Sequence, residues 1–346
     1  MFMISACTDD EPQQRVKMPI SISLPANEVL SAQHAQRRAP GDPGTTEQFL
    51  FPHHLYIIVI SKTGESTWSL WHSEHRTLTD NDWQAKSYVG LLPAMGDSIY
   101  QYTEEIDLLL SGGKFEGRVY AVASAEELTF TPTFGSAIST LSDIEDMTFD
   151  ASSAAIQSNL AHIYSSPYNL ELDGAYFGSF NSTNQRVPHV SLLLYHVAAK
   201  VDITWYVDPE KRVNKDHPEN AVRLTYLETR NLFNGNAYCF RPMENVVAAP
   251  LTSGASKTFI GSGDEGLWWE GRTYFYTLLY TTEVSGKESY FPLQMVMKTN
   301  GDTHTGYKPL LYMKIDKTSP FTPWLRANFN LSAPLAEGEA TKTVDN

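Results

Sequence analysis

Residues 55–60, Leu-Tyr-Ile-Ile-Val-Ile, form an unbroken apolar stretch. Successive side chains of a β-strand point to opposite faces of a sheet, so a strand with this sequence is apolar on both faces. The pattern therefore predicts a strand over residues 49–61 that lies deep in a sheet and ends at the turn residues Thr63 and Gly64.

The other apolar segments extend this prediction along the chain. Short runs rich in Val, Ile, Tyr, Phe and Thr alternate with turn residues, and this spacing is typical of β-sandwiches. One short helix is expected over residues 151–164, because Ile156, Leu160 and Ile163 follow the i, i+4, i+7 spacing of a helix face. Further strands are expected at residues 115–124, 190–207, 222–227, 273–282, 290–298, 310–315 and 326–331.

Length and charge limit the classes of protein to consider. A chain of 346 residues corresponds to about two domains of ~100–200 residues each. The net charge of −14 repels nucleic acid and anionic lipid headgroups, so neither is an expected partner. Of the 2 cysteines, Cys239 lies in an apolar stretch and is expected in a core, so disulfides do not hold the domains together.

The N-terminus carries a candidate lipidation site. Residues 3–7, Met-Ile-Ser-Ala-Cys, end in Cys7 and are followed, after Thr8, by the acidic residues Asp9, Asp10 and Glu11. The small residues before the cysteine resemble the lipobox of bacterial lipoproteins, and the acidic cluster resembles the export signal of Bacteroides-type surface lipoproteins. We expect Cys7 to carry the lipid, although only Met1 to Ile4 precede the small residues and a signal peptide is normally longer.

A separate strand pattern precedes the first domain. Met18, Ile20, Ile22 and Leu24 alternate with polar or small residues, which predicts a strand with one apolar face. The polar segment that follows is rich in Pro and Gly and contains Arg37 and Arg38. We expect this segment to be an exposed loop that a protease can cut, with a solvated dibasic pair as the alternative.

Taken in order, these features resemble the fimbrillin family, the type V pilus proteins of Bacteroidales. The features are the lipobox at Cys7, the leader strand with Arg37-Arg38-Ala39 behind it, and the strand that ends in Thr63-Gly64. Two later segments add to the resemblance, namely residues 192–201, with their Ala-Lys step, and residues 324–329, Trp-Leu-Arg-Ala-Asn-Phe.

The resemblance implies an all-β fold of two tandem transthyretin-like β-sandwich domains with Greek-key type connections. It also implies a pathway in which the exported lipoprotein is cut after Arg38 or Arg37, the leader strand leaves, and a strand from a neighbouring subunit fills its groove (donor strand exchange). The chain would then divide into a signal remnant at 1–7, a leader strand and loop at 8–48, sandwiches at 49–198 and 199–346, and a polar tail within the last segment.

The tail departs from the expected donor strand. Residues 335–344 offer few alternating apolar side chains, so we expect a minor, tip or anchor subunit more than a stalk subunit. The expected partners are other pilus subunits, a host or bacterial surface ligand, and the outer membrane through the lipid at Cys7. The expected location is the cell surface, at the outer membrane or in a pilus that serves cell adhesion.

Candidate chemistry elsewhere is weak, and we expect neither an enzyme nor a cofactor. His53 and His54 point to opposite faces of a strand, and His72 and His75 could meet only in a turn, so no metal site is expected. Trp268 and Trp269 lie among Gly and carboxylates, where they could stack on sugar rings or plug the end of the sandwich. The alternative function is a carbohydrate-binding surface lipoprotein of a glycan-uptake system, whose sandwich domains and lipobox would look much the same.

Overall fold

The computed structural model describes residues 14–25, 50–62, 65, 67–87, 98–110, 114–135, 137–166, 176–181, 189–206, 224–241, 255–260, 269–278, 294–299, 310–312, 324–325 and 341–343. The strands of the first half are β1 (Gln14–Pro25), β2 (His54–Lys62), β3 (Trp68–Thr77), β4 (Gln84–Ser87), β5 (Ser98–Leu110), β6 (Lys114–Ser124), β7 (Phe130–Thr131), β8 (Thr148–Asp150), β9 (Ile163–Ser165), β10 (Tyr176–Asn181), β11 (Val190–Leu193) and β12 (Tyr195–His196).

The strands of the second half are β13 (Ala198–Tyr206), β14 (Leu224–Leu232), β15 (Asn236–Tyr238), β16 (Ala255–Ile260), β17 (Glu270–Leu278), β18 (Gln294–Thr299), β19 (Leu310–Tyr312), β20 (Trp324–Leu325) and β21 (Thr341–Thr343). The helices that the structure describes are short: α1 (Leu141–Glu145), α2 (Ala154–Ser158), and 3₁₀ turns at Asp80–Asp82 and Leu160–His162.

The prediction of an all-β fold is confirmed. Within the described residues, no helix is long and apolar enough to cross a membrane.

The first half is built on two sheets. One has the order β11-β1-β5-β4, and the other has the order β12-β9-β6-β2-β3 with β10 also paired to β6. β2 lies between β3 and β6, and its residues 55–60 are all buried, as the unbroken apolar stretch predicts. The two sheets contribute to one hydrophobic core.

One face of β2 is covered by the segment that follows β6. The ring of Tyr56 contacts the rings of Phe130 and Phe134 edge-on, and its hydroxyl accepts a hydrogen bond of 3.0 Å from the backbone N–H of Leu128. Burial raises the pKa of Tyr56 to about 12. Because Leu55, Ile57 and Val59 point the other way, the sheet is buried on both faces.

The helix predicted over residues 151–164 is shorter than expected. α2 begins after Ser153, whose hydroxyl caps the N–H of Ile156, and it ends at Ser158, with Asn159 as its C-cap. Ile163 lies not on this helix but on β9, where it pairs with Ser124 of β6. Ile163 and the residues after it thus pair with β6 as a strand, although the spacing of Ile163 alone predicted a helix.

The strands of the second half form a three-stranded sheet, β17-β13-β20, and a five-stranded sheet, β16-β14-β18-β19-β21. Strands predicted at 222–227, 273–282, 290–298 and 310–315 overlap β14, β17, β18 and β19. The one predicted at 326–331 lies outside the described residues.

One strand of the second half pairs with the first half. β15 joins β8 and β7 in a small three-stranded sheet. Just after β15, the backbone N–H of Cys239 donates a hydrogen bond to the backbone carbonyl of Met147. Cys239 and Phe240 belong to the core of the first half, so the prediction that Cys239 is a core residue is confirmed. Burial raises the pKa of its thiol.

Candidate functional site

The predicted leader strand is an interior strand of the first sheet. β1 pairs antiparallel with β5 along its whole length, from Gln14 opposite Leu110 to Pro25 opposite Ile99. On its other side it runs parallel to β11, from Ile20 opposite Val190 to Ser23 opposite Leu193. A strand that precedes the first domain in sequence thus lies between two strands of that domain.

The apolar face of β1 is completely buried. Met18, Ile20, Ile22 and Leu24 each have 0% of their surface exposed, as their alternation predicts. At roughly 1.5–3 kcal/mol for each buried side chain, this face contributes up to about 6–12 kcal/mol of transfer free energy, as an upper bound. The groove beneath it is lined by buried residues of β5 and β11, among them Ile106, Leu108, Val190 and Leu192.

The opposite face of β1 is polar and is joined to both neighbouring strands. The hydroxyl oxygen of Ser21 lies 2.8 Å from Nε2 of His189 and 3.3 Å from Oγ1 of Thr103. Nearer the start of β1, Lys17 forms a 3.2 Å ion pair with Glu105 in which both side chains are well exposed. Exposed pairs of this kind contribute only about 0–1 kcal/mol, so the buried face carries most of the attachment.

The residues predicted to release this strand lie outside the described part of the chain. Cys7 precedes β1, and Arg37 and Arg38 fall between β1 and β2, within residues 26–49. Their roles in lipidation and cleavage stay predictions. The sequence alone places the two arginines on the only covalent connection between β1 and β2.

One of the two tryptophans predicted to contact a ligand lies in the described part of the chain. Trp269 directly precedes β17 and is 39% exposed, which makes it one of the most exposed large apolar residues described. Glu270, the next residue, is half-buried. Trp268 lies outside the described residues.

The structure places His54 next to His75, a contact that was not predicted from the sequence. His75 lies on β3, a strand and not a turn, and its Nε2 is 3.1 Å from Nδ1 of His54 on β2. The ring of His75 also stacks on Tyr56. Burial, and next the neighbouring His75, lower the pKa of His54.

A hairpin register could have revealed this pair. Since the predicted turn at Thr63-Gly64 sends the chain back antiparallel, the return strand brings residue 75 close to residue 54. Among the described residues, no group of three or more potential metal ligands occurs.

Charged residues also join the two sheets of the first half. Arg76 on β3 pairs with Glu74 at 2.6 Å and with Glu104 on β5, and the hydroxyl of Tyr102 donates to Glu104 at 3.1 Å. Burial, and next the carboxylate of Glu104, raise the pKa of Tyr102 to about 12. Arg76 thus links β3 of one sheet to β5 of the other through side-chain contacts.

Comparison with known proteins finds similar solved structures, all at low sequence identity. No protein-family model matches the sequence, and no curated protein matches it. A fimbrial assembly protein from Parabacteroides distasonis has a TM-score of 0.35 and 13% identity, over 83% of this chain and 85% of that one. The tip fimbrial protein Mfa3 from Porphyromonas gingivalis, with a C-terminal truncation, has a TM-score of 0.37 and 13% identity, over 82% and 81%.

An adhesin candidate from Bacteroides ovatus has a TM-score of 0.38 and 8% identity, over 84% of this chain and 74% of that one. These three solved structures are thus fimbrial or adhesin proteins by their descriptions. Because the TM-scores and identities are this low, the functional conclusion has to come from the chain's own residues.

Proposed function

We propose that this chain is a structural or adhesive subunit of a bacterial surface pilus, exported as a lipoprotein through Cys7 and assembled by strand addition. The observation that carries the proposal is the position of β1. It fills an interior groove through backbone pairing and four buried side chains. A cut after Arg37 or Arg38 would sever its only covalent link to β2.

Removal of β1 would create a surface that requires a new strand. β5 would lose the partner that it has along its whole length and keep only β4 at residues 98–101, and β11 would lose its partner over residues 190–193. Unpaired backbone groups beside an exposed apolar groove bind an incoming strand readily, because that strand satisfies both. The same cut separates Cys7 from the body of the protein, so it couples release from the lipid to opening of the groove.

We propose a minor, tip or anchor position for this subunit. A strand that fills a groove like this one needs four alternating apolar side chains, as β1 has. Residues 335–344 do not supply them, and Thr341–Thr343 are paired with β19 of their own chain. An anchor would keep both Cys7 and β1, with the arginines uncut.

Limited trypsinolysis tests the proposal. We expect early cleavage after Arg37 or Arg38, with the remaining body folded and protected, and no such cleavage in an Arg37→Gln/Arg38→Gln variant. Arg15 and Lys17 lie within β1 and serve as internal controls, because strand pairing should protect them. Early cuts inside β2 or β6 would contradict the proposal.

Membrane fractionation tests the anchor separately. A Cys7→Ala variant should appear in the soluble fraction, whereas Cys239→Ala, which replaces a buried cysteine, should leave fractionation unchanged. Equal membrane retention of the Cys7→Ala variant and the parent chain would remove the lipoprotein role.

Carbohydrate binding is the second candidate, and the exposure of Trp269 beside Glu270 favours it. A glycan array with the parent chain and a Trp269→Ala variant distinguishes the two functions. Binding that is lost in the variant, together with resistance to trypsin between β1 and β2, would favour the carbohydrate-binding lipoprotein.

A further inference from the structure

The backbone of β1 divides its hydrogen bonds between two neighbours. The carbonyl of Ser23 accepts a 2.9 Å hydrogen bond from the N–H of Leu194, just after β11. In an antiparallel pair, residues alternate between those bonded to the partner strand and those directed away from it. The odd-numbered residues of β1 therefore direct their backbone groups towards β11, and the even-numbered ones towards β5.

Two prolines occupy odd-numbered positions of β1. Pro19 and Pro25 enclose the segment that pairs with β11, which runs from Ile20 to Ser23. Proline lacks the N–H that strand pairing uses. At these positions the missing donors take no bond from β5, but they stop the pairing with β11 from extending in either direction.

The apolar alternation alone does not fix the register of β1. A shift by two residues would place Val16 where Met18 lies, Met18 where Ile20 lies, and so on, with an apolar side chain in every pocket. Such a shift would also move Pro19 to the place of Ser21. There it would lack both the N–H that faces β11 and the hydroxyl that bonds to His189 and Thr103.

Ser21 occupies a confined place on the polar face. It is only 3% exposed, although His189 and Thr103 on either side are exposed. A bulky side chain such as leucine would have to displace one of these neighbours, and an apolar one of threonine's size would lose both hydrogen bonds. The position thus accepts a small hydroxylated residue with a free N–H.

We propose that the place of Ser21 is the specificity-determining position of this groove. A strand inserted by a neighbouring subunit carries serine or threonine there, between the two apolar residues that replace Ile20 and Ile22, and never proline. This inference rests on the proposed strand exchange, because it describes the strand that β1 gives way to.

The first experiment uses the uncut full-length chain and does not depend on exchange. Ser21→Ala, His189→Ala and the double variant form a double-mutant cycle, measured by the urea unfolding equilibrium. We expect coupling that corresponds to a ~2- to 10-fold change in the equilibrium constant, the range for one hydrogen bond. Ser21→Thr should stay near the parent chain, and Ser21→Val, which has the same shape as threonine, should not. Additive effects would overturn the inference.

The second experiment tests selection by the groove. Full-length chain cut by trypsin after Arg38 is incubated with labelled peptides of residues 14–25 that carry serine, threonine, valine, leucine or proline at position 21. The serine and threonine peptides should be incorporated, valine ~2- to 10-fold less, and leucine and proline least. Equal incorporation of all five would overturn the inference. If the serine peptide fails to enter while the mutant cycle shows coupling, the exchange function is wrong and the contact stands.

Discussion

Phe240 packs its ring edge-on against Tyr120, with the ring centroids 5.2 Å apart. Phe240 follows β15 in the predicted second domain, whereas Tyr120 lies on β6 in the middle of the first. Both side chains are buried. The first half of the chain therefore completes its core with a residue that lies beyond the expected boundary at residue 198.

Phe240→Ala should destabilise the first half of the molecule. Truncation of a buried phenylalanine costs about 3–5 kcal/mol, and the loss should appear as faster hydrogen exchange in β2 and β6. Phe275→Ala, which removes a buried ring from β17, is the matched control and should affect β13 and β17 first. Unchanged exchange in β6 of the Phe240→Ala variant would show that this ring is not needed by the core.

The buried face of β1 should determine how firmly it is held. Ile22→Ala removes a fully buried side chain and should cost about 2–5 kcal/mol, because the groove would be left incompletely filled. Lys17→Ala removes an exposed ion pair and should cost at most about 1 kcal/mol. Unfolding by urea measures both, and similar small losses would mean that β1 is only loosely seated.

The sequence predicted β1 and β2 because their signals are local. Alternation at residues 18–24 and an unbroken apolar run at 55–60 report burial directly. What it missed depends on distant partners. Ile163 follows a helical spacing but lies on a strand because β6 offers an edge.

The pairing of β15 with β8 has the same origin. Nothing in residues 236–238 indicates that their partners lie at 148–150. The contact of His54 with His75 has a different origin, because it depends on the register in which β3 returns along β2.

His54 should make the protein sensitive to mild acid. Its pKa is lowered from 6.5, first by burial and next by His75, so the fold favours its neutral form. The stability that this provides is present above about pH 6.5 and is lost as the pH falls from there through the lowered pKa. Unfolding midpoints at pH 7.5 and 5.5 should differ less in His54→Gln than in the parent chain.

His72→Gln is the control for this pH dependence, because His72 on β3 bonds instead to Glu74. It should keep the acid-induced loss of the parent chain. An equal loss in all three proteins would exclude His54 as its source.

Asp143 should stabilise the start of α1. One of its carboxylate oxygens, Oδ2, accepts hydrogen bonds from the backbone and hydroxyl groups of both Ser139 and Thr140, and these lower its pKa to about 2. The contribution is present above about pH 3.8 and is lost as the pH falls towards 2.

Asp143→Asn should cost about 1 kcal/mol near neutral pH, the usual value for a helix cap. Glu127→Gln, at an exposed position outside the helix, is the charge-matched control and should be nearly neutral. The difference between the two variants, measured by urea unfolding, should disappear near pH 2, and a difference that persists there would contradict the role of the carboxylate charge.

Gly271 lies directly opposite Trp205 in the pairing of β13 with β17. A Cβ atom at this position would lie 2.7 Å from Cε2 and 2.9 Å from Cη2 of the indole, closer than real Cβ contacts. Trp205 is buried, so its ring has little room to move. Gly271→Ala should therefore cost about 1–3 kcal/mol through overpacking.

The matched control for this substitution is Gly235→Ala, whose added Cβ would meet only Phe233 at an ordinary 3.7 Å. Urea unfolding compares the two variants, and the pairing of β13 with β17 should lose hydrogen-exchange protection only in Gly271→Ala. Equal stability of the Gly271→Ala and Gly235→Ala variants would mean that the indole of Trp205 can move away from position 271 at little cost, which would contradict the prediction.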